Sequence, residues 1–216
     1  VASDPTSIWT GIISSVISAV AGLGGVALGA HLTGLREATR EKERLQRESR
    51  YLVALIVAHL DRFATGCLAV AFDDGTSEGR PASEDGTEYE PTVELPTFDP
   101  LVLGVEWKVL PPELMFGILN LPGRLDRLRV RIAAAAEYDE PPLYREFFWT
   151  RRDGFAALGL EVSDLVRRLR LHAGAPVDAY EEGESSPEVL LQEQRDKVKQ
   201  ERADYEARIA VRSGSL

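Results

Sequence analysis

Three histidines, one cysteine and two adjacent aspartates are the side chains of this chain best equipped for chemistry, and their spacing limits what they can do. His31, His59 and His172 are scattered, with no pair at the close spacing that a helical or loop metal site uses. His59 and Asp61 stand two residues apart, so on a helix they face different ways and do not pair as base and orienting acid. His172 falls near the end of an apolar run closed by Gly174, where a helix C-terminus favours a cation for purely structural reasons. Cys67 is the only cysteine, which excludes an internal disulfide and cysteine-based zinc sites. It sits within an apolar stripe and is expected to pack as a small apolar residue. Asp73-Asp74-Gly75 could open a cation loop, but the calcium-loop spacing is absent. No phosphate-binding glycine loop, dinucleotide fingerprint or zincin motif is present, so the expectation is no catalytic residue, no metal, no cofactor and no enzyme. Trp107-Lys108, ahead of Pro111-Pro112, is a candidate partner contact, since tryptophan is favoured at binding hot spots. The competing reading has Trp107 plugging the end of a helical bundle.

The element with the clearest physical consequence lies elsewhere. Ile8 to Ala30 runs 23 residues without a charge. At about 1.5 Å per residue a helix of that length covers a hydrocarbon core of about 30 Å, so residues 8–30 are expected to form a transmembrane helix after a tail at 1–7. Asp4-Pro5 reads as a helix cap followed by proline at the first helical position. A secretory signal would be shorter and preceded by basic residues, and an interfacial helix would carry a charged face. A buried helix of an assembly is the stronger rival, because glycine and serine dilute the hydrophobicity. Arg36, Arg40, Lys42, Arg44, Arg47 and Arg50 follow the segment, whereas only Asp4 is charged before it. The positive-inside rule then puts the N-terminus outside and the rest of the chain in the cytoplasm. Gly11, Ser15, Ser18, Gly22, Gly25 and Gly29 recur at spacings of four and three, a stripe that lets helix backbones approach in lipid. Self-association through that face is the expectation.

Residues 31–50 form a charged juxtamembrane stretch, with Glu37–Arg40, Glu41–Arg44 and Glu43–Arg47 at helical pair spacing. No glycine or proline breaks the chain from Leu35 to Thr65, so a continuous rod hinged only at Gly34 is expected. An all-α, antiparallel helical bundle is expected over 51–174. Its first stripe is Val53, Ile56, Leu60, Phe63, Cys67 and Val70. The second is Leu114, Ile118, Leu121, Leu125, Leu128, Ile132 and Ala135, keeping phase across Pro122, where a kink or brief break is expected. The third, opening near Pro141-Pro142 and ending at Gly174, is Tyr144, Phe148, Phe155, Leu158, Val162, Leu165 and Leu169, with Arg151 as the one exception. Between the first two lies an acidic loop, 73–100, expected to be long and poorly ordered, with a hairpin of Thr92–Leu95 and Leu101–Leu103 as the alternative. Residues 175–216 read as a linker and a C-terminal helix from Pro187, capped by Ser186, that is either peripheral or a partner-binding arm.

The formal charge is −10, but nine acids between Asp73 and Asp99 against Arg80 alone supply −8 of it. The remainder is near neutral, which excludes the basic footprint of nucleic-acid binding. Arginine greatly outnumbers lysine, a bias of high-GC bacterial genomes. The layout resembles, in a general way, bacterial proteins with one N-terminal span and a charged stalk, and no named family follows. The expected function is a membrane-anchored, self-associating scaffold or adaptor in a bacterial inner membrane, binding lipid, itself and a protein partner. The alternatives are a small pore-forming or membrane-perturbing effector of a bacterial conflict system, with Thr10, Ser14, Ser15 and Ser18 lining a water path, and a structural subunit of a virion or filament.

Overall fold

The computed structural model describes residues 37, 40, 44, 47–176 and 185–213. The chain divides into two units, Val1–Glu48 and Ser49–Leu216. In the first, the described residues are helical and exposed, with Arg44 donating from Nε to Glu48 at 2.9 Å. The Ile8–Ala30 segment, its glycine–serine stripe, His31, Glu41 and Glu43 lie outside the described residues.

The second unit is mostly helical. Helix α1 (Arg47–Phe72), all but its first two residues in this unit, is among the described residues the one helix long and apolar enough to cross a membrane. Packing accounts for much of that apolarity: 44% of its most apolar stretch is buried, and Val53, Ile56, Leu60, Phe63, Cys67 and Val70 are each at most 3% exposed. The second stripe divides between α2 (Pro112–Leu119) and α3 (Leu121–Glu137). Pro122 falls in the first turn of α3, where its missing N–H has no intrahelical acceptor to lose. Asn120 keeps αR backbone angles, and its N–H still reaches Phe116 O at 3.0 Å, so the break is one residue long. The stripe therefore holds its phase, with Leu114, Ile118, Leu121, Leu125, Leu128 and Ile132 all buried.

Helix α4 (Arg145–Ala173) begins later than Pro141-Pro142. Asp139 Oδ2 accepts from Phe147 N at 2.8 Å, satisfying one of the donors that the first turn leaves without an intrahelical partner. Gly174, with φ 61°, closes the helix, as expected of a glycine that tolerates the left-handed region. Helix α5 (Pro187–Ser213) opens with Ser186 Oγ accepting from Val189 N. The expectation of a peripheral arm needs correction for its first half. Leu191 and Val198 are 0% and 2% exposed, and Leu191 joins Ala71 and Ala156 in a second apolar cluster. A Cβ on Gly159 would stand 2.9 Å from Leu191, so the glycine is what lets α4 and α5 meet closely. Ion pairs Arg195–Asp153, Arg152–Glu201 and Arg202–Glu146 continue the seam outward. A sparse stripe was enough because α5 completes a core already built by the other helices. Beyond Tyr205 every described residue of the helix is exposed, Ile209 and Val211 included.

The acidic loop is not the loose connection that its composition implies, nor does it form the alternative hairpin. Thr76–Ser77 pairs antiparallel with Arg80–Pro81 as a short hairpin instead, and Pro100–Leu103 is a turn of 3-10 helix capped by Asp99. Several acids act as local hydrogen-bond acceptors. Asp85 accepts from Ser83 Oγ, Thr87 N and Thr87 Oγ1, and Asp74 accepts from Thr76 N and Oγ1. Farther along, Phe98 stacks on Phe63 at 5.4 Å, and Pro96 fills the space left by Gly66. The segment is a strap across α1.

Gly75, where the strap begins, has φ 80°, and a Cβ there would lie 2.3 Å from the Phe148 ring. Gly75→Ala combines an unfavourable backbone region with overpacking, so a loss of about 1–3 kcal/mol in urea unfolding is expected.

Candidate functional site

Two places gather polar groups from distant parts of the unit. The first is at the C-terminal end of α1. Arg151, the exception in the α4 stripe, is sealed inside it opposite Asp73, with side chains 2% and 0% exposed. Arg151 Nη1 donates to Asp73 Oδ2 at 2.7 Å, and Nη2 donates to Val93 O at 2.5 Å. The rest of the carboxylate is taken by backbone and hydroxyl donors: Gly75 N and Thr92 Oγ1 on Oδ1, Thr92 N and Val93 N on Oδ2. Burial by itself would raise the Asp73 pKa. The bonds from Thr92 and Val93 and the adjacent guanidinium outweigh it and hold the carboxyl below its ordinary 3.8. Burial draws Arg151 down from its ordinary value while Asp73 opposes that, and the pair is ionic.

Next to this pair, the carbonyl of Ala71 in the last turn of α1 accepts from Gln194 Nε2 at 2.9 Å and lies 3.4 Å from Arg152 Nε. A helix C-terminus is thereby closed by one cation from α4 and one amide from α5. Among the described residues, no buried side-chain nitrogen or oxygen lacks a partner. Chemically, the arrangement ties α1, the strap, α4 and α5 together.

The second place is at the opposite end, where α1 starts and α4 stops. Arg50 Nε donates to Ala173 O at 3.2 Å, and Arg170 Nη2 donates to Asp61 at 2.9 Å. Between these bridges a groove of about 540 Å³ opens, floored by Val53, Ala54, Val57 and Ala58 and lipped by Gly174 and Pro176. Its rim carries Arg50 and Arg170 together with the carboxylate of Asp61, and its floor is apolar.

Of the residues singled out in the sequence, His59 and His172 are exposed on different helices. Cys67 is fully buried, and burial pushes its thiol up to about 12. Asp73 and Asp74 are engaged by their own strap, and among the described residues no group of three or more His, Cys, Asp or Glu could hold a metal. Trp107 is half-buried against the core, with Lys108 exposed beside it. Trp149 is buried edge-on to Tyr205 at 5.5 Å. Arg151 carried a signal in its position, since a lone arginine on a core stripe demands a buried acceptor. Gln194 and Arg50 carried none, because their partners are 123 residues away in sequence. Comparison with known proteins gives no match: no family model, no curated protein and no solved structure is similar to this chain.

Replacing Arg151 by Met leaves Asp73 buried without its counter-charge, and a loss of about 3–5 kcal/mol is expected in chemical unfolding. The double variant Asp73→Asn/Arg151→Met removes both charges and should recover part of that loss. Asp73 titrates below its unfolded value in the folded chain, so its stabilisation is fully present above pH 3.8 and fades as pH falls below that. Asp73→Asn is expected to flatten this acid limb in a pH series of melting temperatures. Cys67 is expected to resist thiol reagents at pH 8 in the folded protein and to react at once in denaturant, read by mass spectrometry.

Proposed function

We propose that this chain is a membrane-anchored, self-associating helical scaffold or adaptor. Residues 8–30 span a bacterial inner membrane with the N-terminus outside, and the bundle works in the cytoplasm as a binding platform for another protein. The observation that carries the reading is the 23-residue uncharged run with its small residues on one face and its basic residues on one flank. What the bundle contributes supports it. Its buried charges are engaged in holding helices together, and its described surface offers grooves and exposed apolar side chains such as Phe116 and Val130 rather than converging catalytic groups. Trp107 and Lys108 remain candidates for the partner contact.

A second reading rests on Thr10, Ser14, Ser15 and Ser18, hydroxyls that in an oligomer line a narrow water path, as a pore-forming effector requires.

The test starts with membrane flotation of the full chain, followed by crosslinking in mild detergent. The scaffold reading expects flotation, a crosslinked oligomer, and a shift to monomer in Gly25→Leu, which blocks close backbone approach. Vesicles that hold a trapped dye are expected to stay sealed; leakage that Gly25→Leu abolishes would favour the pore. Extraction into plain buffer as a monomer would remove both.

A further inference from the structure

Helix α5 is joined to the bundle by contacts of a different kind from those that join α1 to α4. Among the described residues, the main apolar core draws its buried members from Leu52–Ala173, and none from α5. The donors that satisfy the buried Asp73 carboxylate come from the strap and α4 alone. In its 27 residues α5 buries Leu191, Gln194 and Val198, a single narrow stripe. Leu191 meets Ala71 and Ala156 in the separate smaller cluster, and Gln194 donates one bond to Ala71 O. Toward the C-terminal half of α5 the seam turns polar. Arg195 pairs with Asp153, Glu201 with Arg152 and Arg202 with Glu146, and one partner of each pair is at least 37% exposed. Arg145 lies 4.7 Å over the ring of Tyr205, which also meets Trp149 edge-on. The side-chain bonds Gln192–Asp196, Gln200–Asp204 and Arg202–Glu206 stay within α5 and tie it to nothing else.

We infer that α5 is a salt-sensitive latch, released as a unit while α1–α4 and the strap stay folded. Apolar burial holds α1–α4 together, and added salt does not weaken it. Ion pairs with one partner in water are screened by salt. Each such pair contributes little alone, but here three of them and a cation–π contact act along one seam. Local opening selects the element with the fewest buried apolar contacts, which in this unit is α5. Release also strands no buried charge. Arg152 and the carbonyl of Ala71 gain water where Glu201 and Gln194 leave them, and the Asp73–Arg151 pair keeps every bond it has. What release uncovers is apolar: Leu68, Ala71, Ala156 and Leu160, with Gly159 at the point of closest approach to Leu191. The device therefore shields that face from water for as long as charge holds the helix down. It does not rest on the membrane anchoring proposed above.

The experiment follows amide hydrogen exchange by mass spectrometry on the full-length chain in mild non-ionic detergent. Sodium chloride is set at about 0.1 M and about 1 M, where the Debye length falls from about 10 Å to about 3 Å. Peptides from 190–204 are expected to exchange about tenfold faster than those from 155–169 at the lower salt. At the higher salt they are expected to gain about threefold more, with 155–169 unchanged. Arg195→Asp is expected to bring on the faster exchange already at the lower salt, and adding Asp153→Arg to restore much of the protection. Exchange of 190–204 in step with 155–169 at both salts would overturn the latch, since the helices then open together. Fast exchange of 190–204 that neither salt nor Arg195→Asp alters would overturn the part given to charge. Acceleration of both regions by salt would also overturn the inference, because the whole bundle then loosens rather than α5 alone.

Discussion

A carboxylate and a guanidinium sealed from water between α1, the strap and α4 form the constraint around which the unit is arranged. Neither charge is tolerable alone at that depth, and together they satisfy each other only in one geometry. Asp73 lies one residue beyond α1, Arg151 in the second turn of α4, and the donors of Thr92 and Val93 come from the far side of the strap. Three segments distant in sequence are thus brought to one point. Apolar stripes alone would let these helices slide or rotate against each other. The ion pair fixes their register, which is the use of buried charge that physical reasoning supports best.

The same logic recurs at the helix ends. An α-helix leaves its last carbonyls without intrahelical partners, and here tertiary contacts supply some of them. Arg152 and Gln194 converge on Ala71 O, while Arg50 reaches Ala173 O. Because α1 and α4 run antiparallel, each closes the other at opposite ends of the unit. Among the described residues, these buried polar groups are engaged with one another.

Composition misled at two places, for one physical reason. The strap contains glycine, proline, serine and many acids, and on that basis disorder is the natural expectation. Acids at turn positions, however, act as hydrogen-bond acceptors before they act as mutually repelling charges, and Phe98, Pro96 and Val93 supply enough apolar contact to hold the segment on α1. Helix α5 is poor in apolar residues, which reads as peripheral. Two deeply buried residues and a row of ion pairs to α4 suffice, because it adds to an existing core. The contacts of Pro96 and Phe98 with α1, and the ion pairs of α5 with α4, join residues tens of positions apart, which no local pattern reports.

What the sequence by itself determined is the set of apolar stripes. Val53 through Val70, Leu114 through Ile132 and Phe148 through Leu169 are buried where their three–four spacing put them, because burial of one helical face follows from period and side-chain type. The glycine stop at Gly174 was legible for equally local reasons of backbone geometry, whereas the break expected at Leu121–Gly123 falls just ahead of them, at Asn120. Only the tertiary structure decided which acid answers Arg151, where the Ala71 carbonyl finds its donors, and that Arg50 and Arg170 frame a groove at the end opposite the acids. Those outcomes depend on the direction and rotation of helices about 100 residues apart, and electrostatic complementarity at such separations is fixed by packing rather than by any pattern along the chain.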